Sequence, residues 1–270
     1  MRLLSLAPLG VILATPALAE GGPRDTVTIG VGAVTVPRYE GASENVIIPA
    51  GAIRGTVGGV YFVTQGSALF VDLIPASGHP ETKVILGPMA HLTLARASNK
   101  RTRDPQIIAL GKLDTAIELG GHAGIRRTGV ITSDYDALTF DLAISHDVTG
   151  THGSTIVTPS ISYTTPLSEK LYVGLAVGAD HVGTGYARTY FGVTPTQAAA
   201  SSLPTYTLGS GFKDVNFSLL GNASLTGDLR HGLSLFAVGN YEKLLGDFAR
   251  SPVVRDRNQW YGGLGLAYTF

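Results

Sequence analysis

The sequence predicts an all-β fold: one transmembrane antiparallel β-barrel of about twelve strands, with short periplasmic turns and long extracellular loops. Three observations predict it. Apolar and polar residues alternate strictly over many stretches. Many of these runs suit the tilted crossing of about 9–11 residues that a membrane strand needs. The longest connectors all fall on the same side of the alternating strands.

The N-terminus directs export. Arg2 precedes an apolar run from Leu3 to Leu18, and Ala17-Leu18-Ala19 precedes Glu20. That pattern is a secretory signal peptide over 1–19, cleaved after Ala19 and too short to span a bilayer as a helix. Residues 20–270 then form a single outer-membrane barrel domain. Composition agrees: glycine is high at 35 of 270, and charged residues are low at 15% against an ordinary quarter. Net charge is zero, so nothing favours nucleic acid. With no cysteine, disulfides and thiolate chemistry are excluded.

Strands are read near 26–37, 46–56, 59–65, 68–74, 82–97, 114–127, 133–148, 152–165, 170–186, 212–227, 231–245 and 258–270. The run at 133–148 poses the question of which face meets lipid. Leu138, Phe140, Leu142, Ile144 and Val148 alternate with Ala137, Thr139, Asp141, Ala143 and Ser145. Asp141 would be a stranded charge on a lipid face, so it points into the barrel and Leu138 and Phe140 point outward. The run at 171–180 sets Leu171, Val173, Leu175, Val177 and Ala179 against Tyr172, Gly174, Ala176, Gly178 and Asp180. The last strand sets Trp260, Leu264, Leu266, Tyr268 and Phe270 against Tyr261, Gly263, Gly265, Ala267 and Thr269. Only 231–245 is ambiguous, because Phe236 and Val238 fall opposite Leu233, Leu235 and Ala237. Pro88 and Pro159 lie inside strands, where the missing N–H predicts bulges.

From a periplasmic N-terminus, the outer connectors are 38–45, 66–67, 98–113, 149–151, 187–211 and 246–257. The periplasmic ones are 57–58, 75–81, 128–132, 166–169 and 228–230. The segment at 194–204 reads as a loop with one helical turn at 197–200.

Candidate chemistry is sparse. His152-Gly153-Ser154 resembles the His-x-Ser of lipid A deacylases, yet the next glutamate, Glu169, lies a full strand away at the opposite surface; a polar loop tip is expected. Ser145-His146-Asp147 cannot form a triad, because adjacent strand residues face opposite ways. No histidine spacing suits a metal, so no metal or cofactor is expected. The polar residues predicted to line the lumen are Asp72, His91, Glu118, His122, Arg126, Asp141 and Asp180. A turn centred near 130–131 would place Arg126 opposite Tyr135 and Asp141 near Gly120. Asp141 would then cluster with Glu118 and His122, the histidine supplying the positive charge.

Several segments resemble the MipA/OmpV family of outer-membrane proteins: "PRYEGAS" at 37–43, "IIPAGAIRG" at 47–55, "TYFGV" at 189–193, "LLGDFARSPVV" at 244–254 and the "GLGLAYTF" terminus. The resemblance covers essentially the whole mature chain. Phe248 and Arg250 depart from it, standing where the family usually has smaller or acidic residues. It implies an outer-membrane barrel without catalytic residues. In one member it implies a scaffold that joins a peptidoglycan hydrolase to a synthase. The expected function is therefore a non-enzymatic barrel in contact with outer-membrane lipid, scaffolding such enzymes; a small channel for a polar solute and a lipid-modifying enzyme are the alternatives.

The face assignment is testable. Leu175→Arg should cost about 2–4 kcal/mol at the bilayer midplane, and Gly174→Ser, on the inner face, should cost much less. Urea unfolding in vesicles, followed by heat-modifiable migration, reads both; equal losses would remove the assignment.

Overall fold

Twelve strands close into one ring. The computed structural model describes residues 25–76, 81–96 and 98–270, with Lys100 by its backbone alone; the leader expected at 1–19 lies outside the described residues. The strands are β1 (Thr26–Pro37), β2 (Asn45–Val57), β3 (Val60–Gln65), β4 (Ala68–Asp72), β5 (Thr82–Thr93) and β6 (Ala116–Thr128). They continue as β7 (Ala137–Asp147), β8 (Thr155–Ser168), β9 (Leu171–Val182), β10 (Gly211–Ser224), β11 (Gly232–Leu244) and β12 (Asn258–Thr269). Each pairs antiparallel with the next, and β12 pairs with β1 to close the barrel.

The alternation read from the sequence is the wall. Phe140, Leu142, Ile144 and Val148 are exposed on the outside, whereas Ala137, Ala143 and Ser145 are buried inside. Trp260, Leu264, Leu266 and Tyr268 are likewise outside, with Tyr261 and Ala267 inside. So large an apolar belt on a closed sheet needs lipid against it. Among the described residues no helix is long and apolar enough to cross a membrane; the strands make the crossing.

The ambiguous strand β11 resolves by packing. Phe236 and Val238 are buried in a core with Val34, Val36, Tyr172 and Leu220, inside the barrel rather than against lipid. Glycines on β12 and β1 make the room. A Cβ on Gly265 would come within 2.4 Å of the Phe236 ring and 2.5 Å of the Val31 carbonyl oxygen, and one on Gly30 within 3.2 Å of that ring. One side of the lumen is thus filled by side chains.

Three expectations about register are corrected. Pro88 pairs with Gly121 and Pro159 with Leu142 without a shift; no bulge forms at either. Pro159 instead leaves a gap in the β8–β9 ladder, between Val157↔His181 and Ser160↔Gly178. The register shifts lie at Pro166/Ser168 and at Phe212/Asp214. Arg126 faces Thr139, four residues beyond Tyr135, because 129–136 is a turn and not ladder. Asp136 holds that turn: its carboxylate accepts N–H bonds from Val130 (2.6 Å) and Ile131 (2.7 Å) and a hydroxyl bond from Tyr163 (2.7 Å). Burial pushes the Asp136 carboxyl up, and the Thr132 N–H together with those donors outweighs it, holding it far below the usual carboxylate range.

The strand expected at 170–186 ends at Val182. Beyond it α3 (Thr184–Phe191) and α4 (Pro195–Ser201) occupy the longest outer loop. The helical turn expected at 197–200 belongs to α4, whose Thr194 and Gln197 form a capping box. The loop after β5 carries α1 (Asn99–Thr102) and α2 (Pro105–Ala109), and the loop after β11 carries α5 (Gly246–Ala249). These loops knit together over the mouth. Tyr186, Tyr190, Phe191, Leu208 and Phe248 share one core. Tyr39, Ile107, Val193 and Val253 share another. Arg255 bridges Asp104 and Gln106 at 2.8 Å each, and Gln106 reaches the Ser201 carbonyl at 3.1 Å. Phe248, the departure from the family pattern, stacks edge-on against Phe191 at 5.2 Å.

Gly265→Ala should destabilise the barrel by about 1–3 kcal/mol through overpacking against Phe236. Adding Phe236→Leu should return part of that loss in the same unfolding assay; strict additivity would show that the two sites do not touch.

Candidate functional site: a charged lumen cavity

Under the loop cap lies a cavity of about 340 Å³. It is eccentric: the β11–β12–β1–β2 side is packed with apolar residues, leaving a polar space along β5–β10. At its outer end it is lined by Glu40, Tyr186 and Lys213, and at its inner end by Ile85, Arg126 and Thr139.

The densest chemistry is at the outer end, around a lysine that sequence reasoning missed. Lys213 Nζ lies 2.6 Å from Glu40, 3.0 Å from Asp214, 3.4 Å from Asp180 and 3.8 Å from Glu242. Its ammonium also lies 5.6 Å from the centre of the Tyr186 ring. Tyr186 donates to Glu40 and Tyr261 to Glu242, each at 3.0 Å, and Thr158 donates to Asp180 at 2.6 Å. Burial, with Glu40 next, pushes the Tyr186 phenol well above its ordinary value. One cation thus faces four carboxylates, which binds the first outer loop, β9, β10 and β11 together.

The β10 register shift creates this cluster. Phe212 and Val215 both point outward, and the extra residue between them turns Lys213 and Asp214 both inward. A signal existed: apolar residues in "FKDVNF" are spaced by three and then by two, so the period breaks where the bulge sits.

The predicted lumen residues divide into separate groups. Asp72 pairs with Lys83 at 2.7 Å and accepts the Ile74 N–H at 3.0 Å, a structural tie. His122 bridges the Asp141 carboxylate at 3.0 Å and the Val71 carbonyl at 3.1 Å. Both partners are acceptors, so both contacts are hydrogen bonds only with a doubly protonated ring. Glu118 is not with them, because the true register carries it toward Asp147 at the outer end. There it meets His152 at 3.1 Å and His91 at 3.4 Å. Asp180 belongs to the Lys213 cluster. Arg126 lines the inner end and makes no ion pair with a described carboxylate.

His152 is therefore not an exposed loop tip. It is buried, and its acidic partner is Glu118, 34 residues earlier, where the sequence pointed only to Glu169. Among the described residues its other ring nitrogen has no hydrogen-bond partner, and no hydrogen bond links it to Ser154, so the His-x-Ser segment does not assemble the nucleophile–base contact of acyl transfer.

These features define a β-barrel protein of the outer membrane. A family profile described as MltA-interacting protein MipA matches residues 29–270, and the chain belongs to that family. Similar solved structures include an outer-membrane channel of Pseudomonas putida F1 (TM-score 0.45, 12% identity, covering 96% of this chain and 100% of that one). The outer-membrane channel DcaP of Acinetobacter baumannii is similar at TM-score 0.42 and 9% identity, over 95% of this chain and 100% of that one. A FadL homologue of Pseudomonas aeruginosa is similar at TM-score 0.35 and 10% identity, over 99% and 98%. The comparison with curated proteins gave no match.

Lys213→Met should cost about 3–5 kcal/mol, the range for stripping a buried charge cluster of its counter-ion. Lys213→Arg should cost much less, and adding Glu40→Gln to Lys213→Met should recover part of the loss. Urea unfolding of the reconstituted barrel is the measurement.

Proposed function

We propose that this protein is a non-enzymatic outer-membrane barrel whose lumen is a narrow conduit for a small polar solute. The cavity running from Glu40 beneath the cap to Arg126 near the inner ends of the strands carries this reading. A barrel kept only as an anchor gains nothing from seating charges along half of its interior, where each must be matched. Carboxylates outnumber the lysine at the outer end, so the conduit favours cations over anions.

A second reading, a scaffold for peptidoglycan hydrolases and synthases, draws support from the family description. Geometry offers it little: the inner connectors Gly58–Gly59 and Glu169–Lys170 are tight turns, and the others, 73–81, 129–136 and 225–231, are under ten residues each. Short turns give less surface than the about 800 Å² per partner of a standard interface.

Planar-bilayer recording of the refolded mature protein separates the two. Discrete steps with cation preference, weakened by Asp180→Asn or Glu242→Gln, are expected. A silent bilayer, together with co-purification of a lytic transglycosylase from detergent-solubilised envelopes, would replace the conduit by the scaffold.

A further inference from the structure

The wall has a notch. β3 and β4 are short, with six and five residues. Their tight turn at Gly66–Ser67 reaches the outer end of β5, where Leu92 N–H donates to the Ser67 carbonyl, but stops well short of the outer end of β2. β2 pairs with β3 only from Arg54 to Val57. From Asn45 to Ala52 its other edge has no described strand beside it, on the order of 25 Å of open backbone. β4 stays joined to β5, pairing over Ala68–Phe70 and bonding beyond it through Leu92 N–H to the Ser67 carbonyl at 3.2 Å and Leu73 N–H to the Leu86 carbonyl at 3.0 Å, so the notch lies on the β2 side.

The direction of the open groups follows from one contact. The Ile53 N–H donates to Thr64 Oγ1 at 2.9 Å, and that hydroxyl donates back to the Ile53 carbonyl at 3.2 Å. Backbone groups alternate along a strand, so those of Gly51, Pro49 and Ile47 point into the notch. Proline at 49 removes one of the N–H groups otherwise left over, as on an edge strand. The depth follows from another contact. Asn45 Nδ2 donates to the Trp260 carbonyl at 2.8 Å, and Trp260 stands outside the barrel, stacked on Tyr241 at 4.6 Å. Exposed aromatics of this kind mark the membrane interface, so Ile47 to Ala52 lie beneath it, at the level of the hydrocarbon.

Open backbone at that depth needs a polar space beside it; the lumen cavity reaches Gln65, Ala68 and Leu94 across the notch from β2, while the inward side chains of β2 itself pack against the apolar core. The cavity's near wall is apolar, with Val63, Phe70 and Met89. Inward-facing Ile48, Ala50 and Ala52 are only half-buried, whereas Val34 and Val36 beside them on β1 are buried. Above, the mouth is covered by the knitted loops.

We infer that the notch is a lateral port, through which small amphiphiles with an apolar body pass between the outer leaflet and the lumen. This rests on the conduit reading of the cavity and narrows its solute class: the apolar body meets Val63, Phe70 and Met89, and the polar head meets the charged half.

The chain has no cysteine, which permits a direct test. In vesicles carrying Met89→Cys, a membrane-partitioning pyrenyl maleimide is compared with a sulfonated one. Each rate is normalised to that reagent's rate with free cysteine. The apolar reagent should be faster by at least about tenfold, since charge is disfavoured in hydrocarbon. Adding Ala50→Trp or Ile48→Trp, which fill the notch from β2, should remove most of that advantage. Heat-modifiable migration confirms that each variant is folded. Equal normalised rates, no labelling of the folded protein, or an advantage unchanged by both tryptophans would overturn the port. Port-dependent labelling with a silent bilayer would instead sink the conduit and keep the port.

Discussion

Everything in this barrel follows from the cost of an unpaired peptide group in hydrocarbon. Closing β12 onto β1 gives the outermost strands partners, and the ladder then runs round the ring. With the backbone so committed, only side chains remain to distinguish one face from the other, and a period of two divides them between lipid and lumen. Where the rule lapses, at the upper edge of β2, the local chemistry changes with it: a proline sits in the edge and a threonine hydroxyl stands in for a missing rung.

The interior solves a second problem, how to fill a cylinder whose wall is set by strand number. One side is solved with large residues against glycines, as with Phe236 over Gly265 and Gly30. The other is solved with charge, most of it gathered round Lys213 and the histidines that face Glu118 and Asp141. The outer loops finish the enclosure from above, and Glu40 belongs to both structures, since it sits in a loop and binds a lysine on the wall.

Much of this was legible in the residues, and the reasons are local. Strand positions follow from alternation, which the membrane enforces outside with little exception; β1 begins and ends where the pattern does. Pairing register is less legible, because it depends on turn geometry. Asp136 folds the turn after β6 through backbone N–H groups, and a wrong turn centre moved Glu118 into the wrong cluster. The loop cap was the least visible part. Its helices are short, and Glu118–His152 and Lys213–Glu40 join residues far apart in sequence that meet only once the ring has closed. The bulge at Lys213 left a trace in the spacing of Phe212 and Val215, a trace that matters only when every other step in the strand is two.

The seam between β1 and β12 bears on how chain order relates to shape. Phe270 N–H donates to the Val27 carbonyl at 2.9 Å, so the last residue lies against the first strand at the inner rim. The strands form a cycle, and sequence order merely cuts that cycle at one place. A linker of a few residues across this cut, with new ends opened in another inner turn such as Gly58–Gly59, would describe the same barrel by a permuted chain. What the fold requires is a cyclic order of neighbours, and the position of the cut is incidental to it.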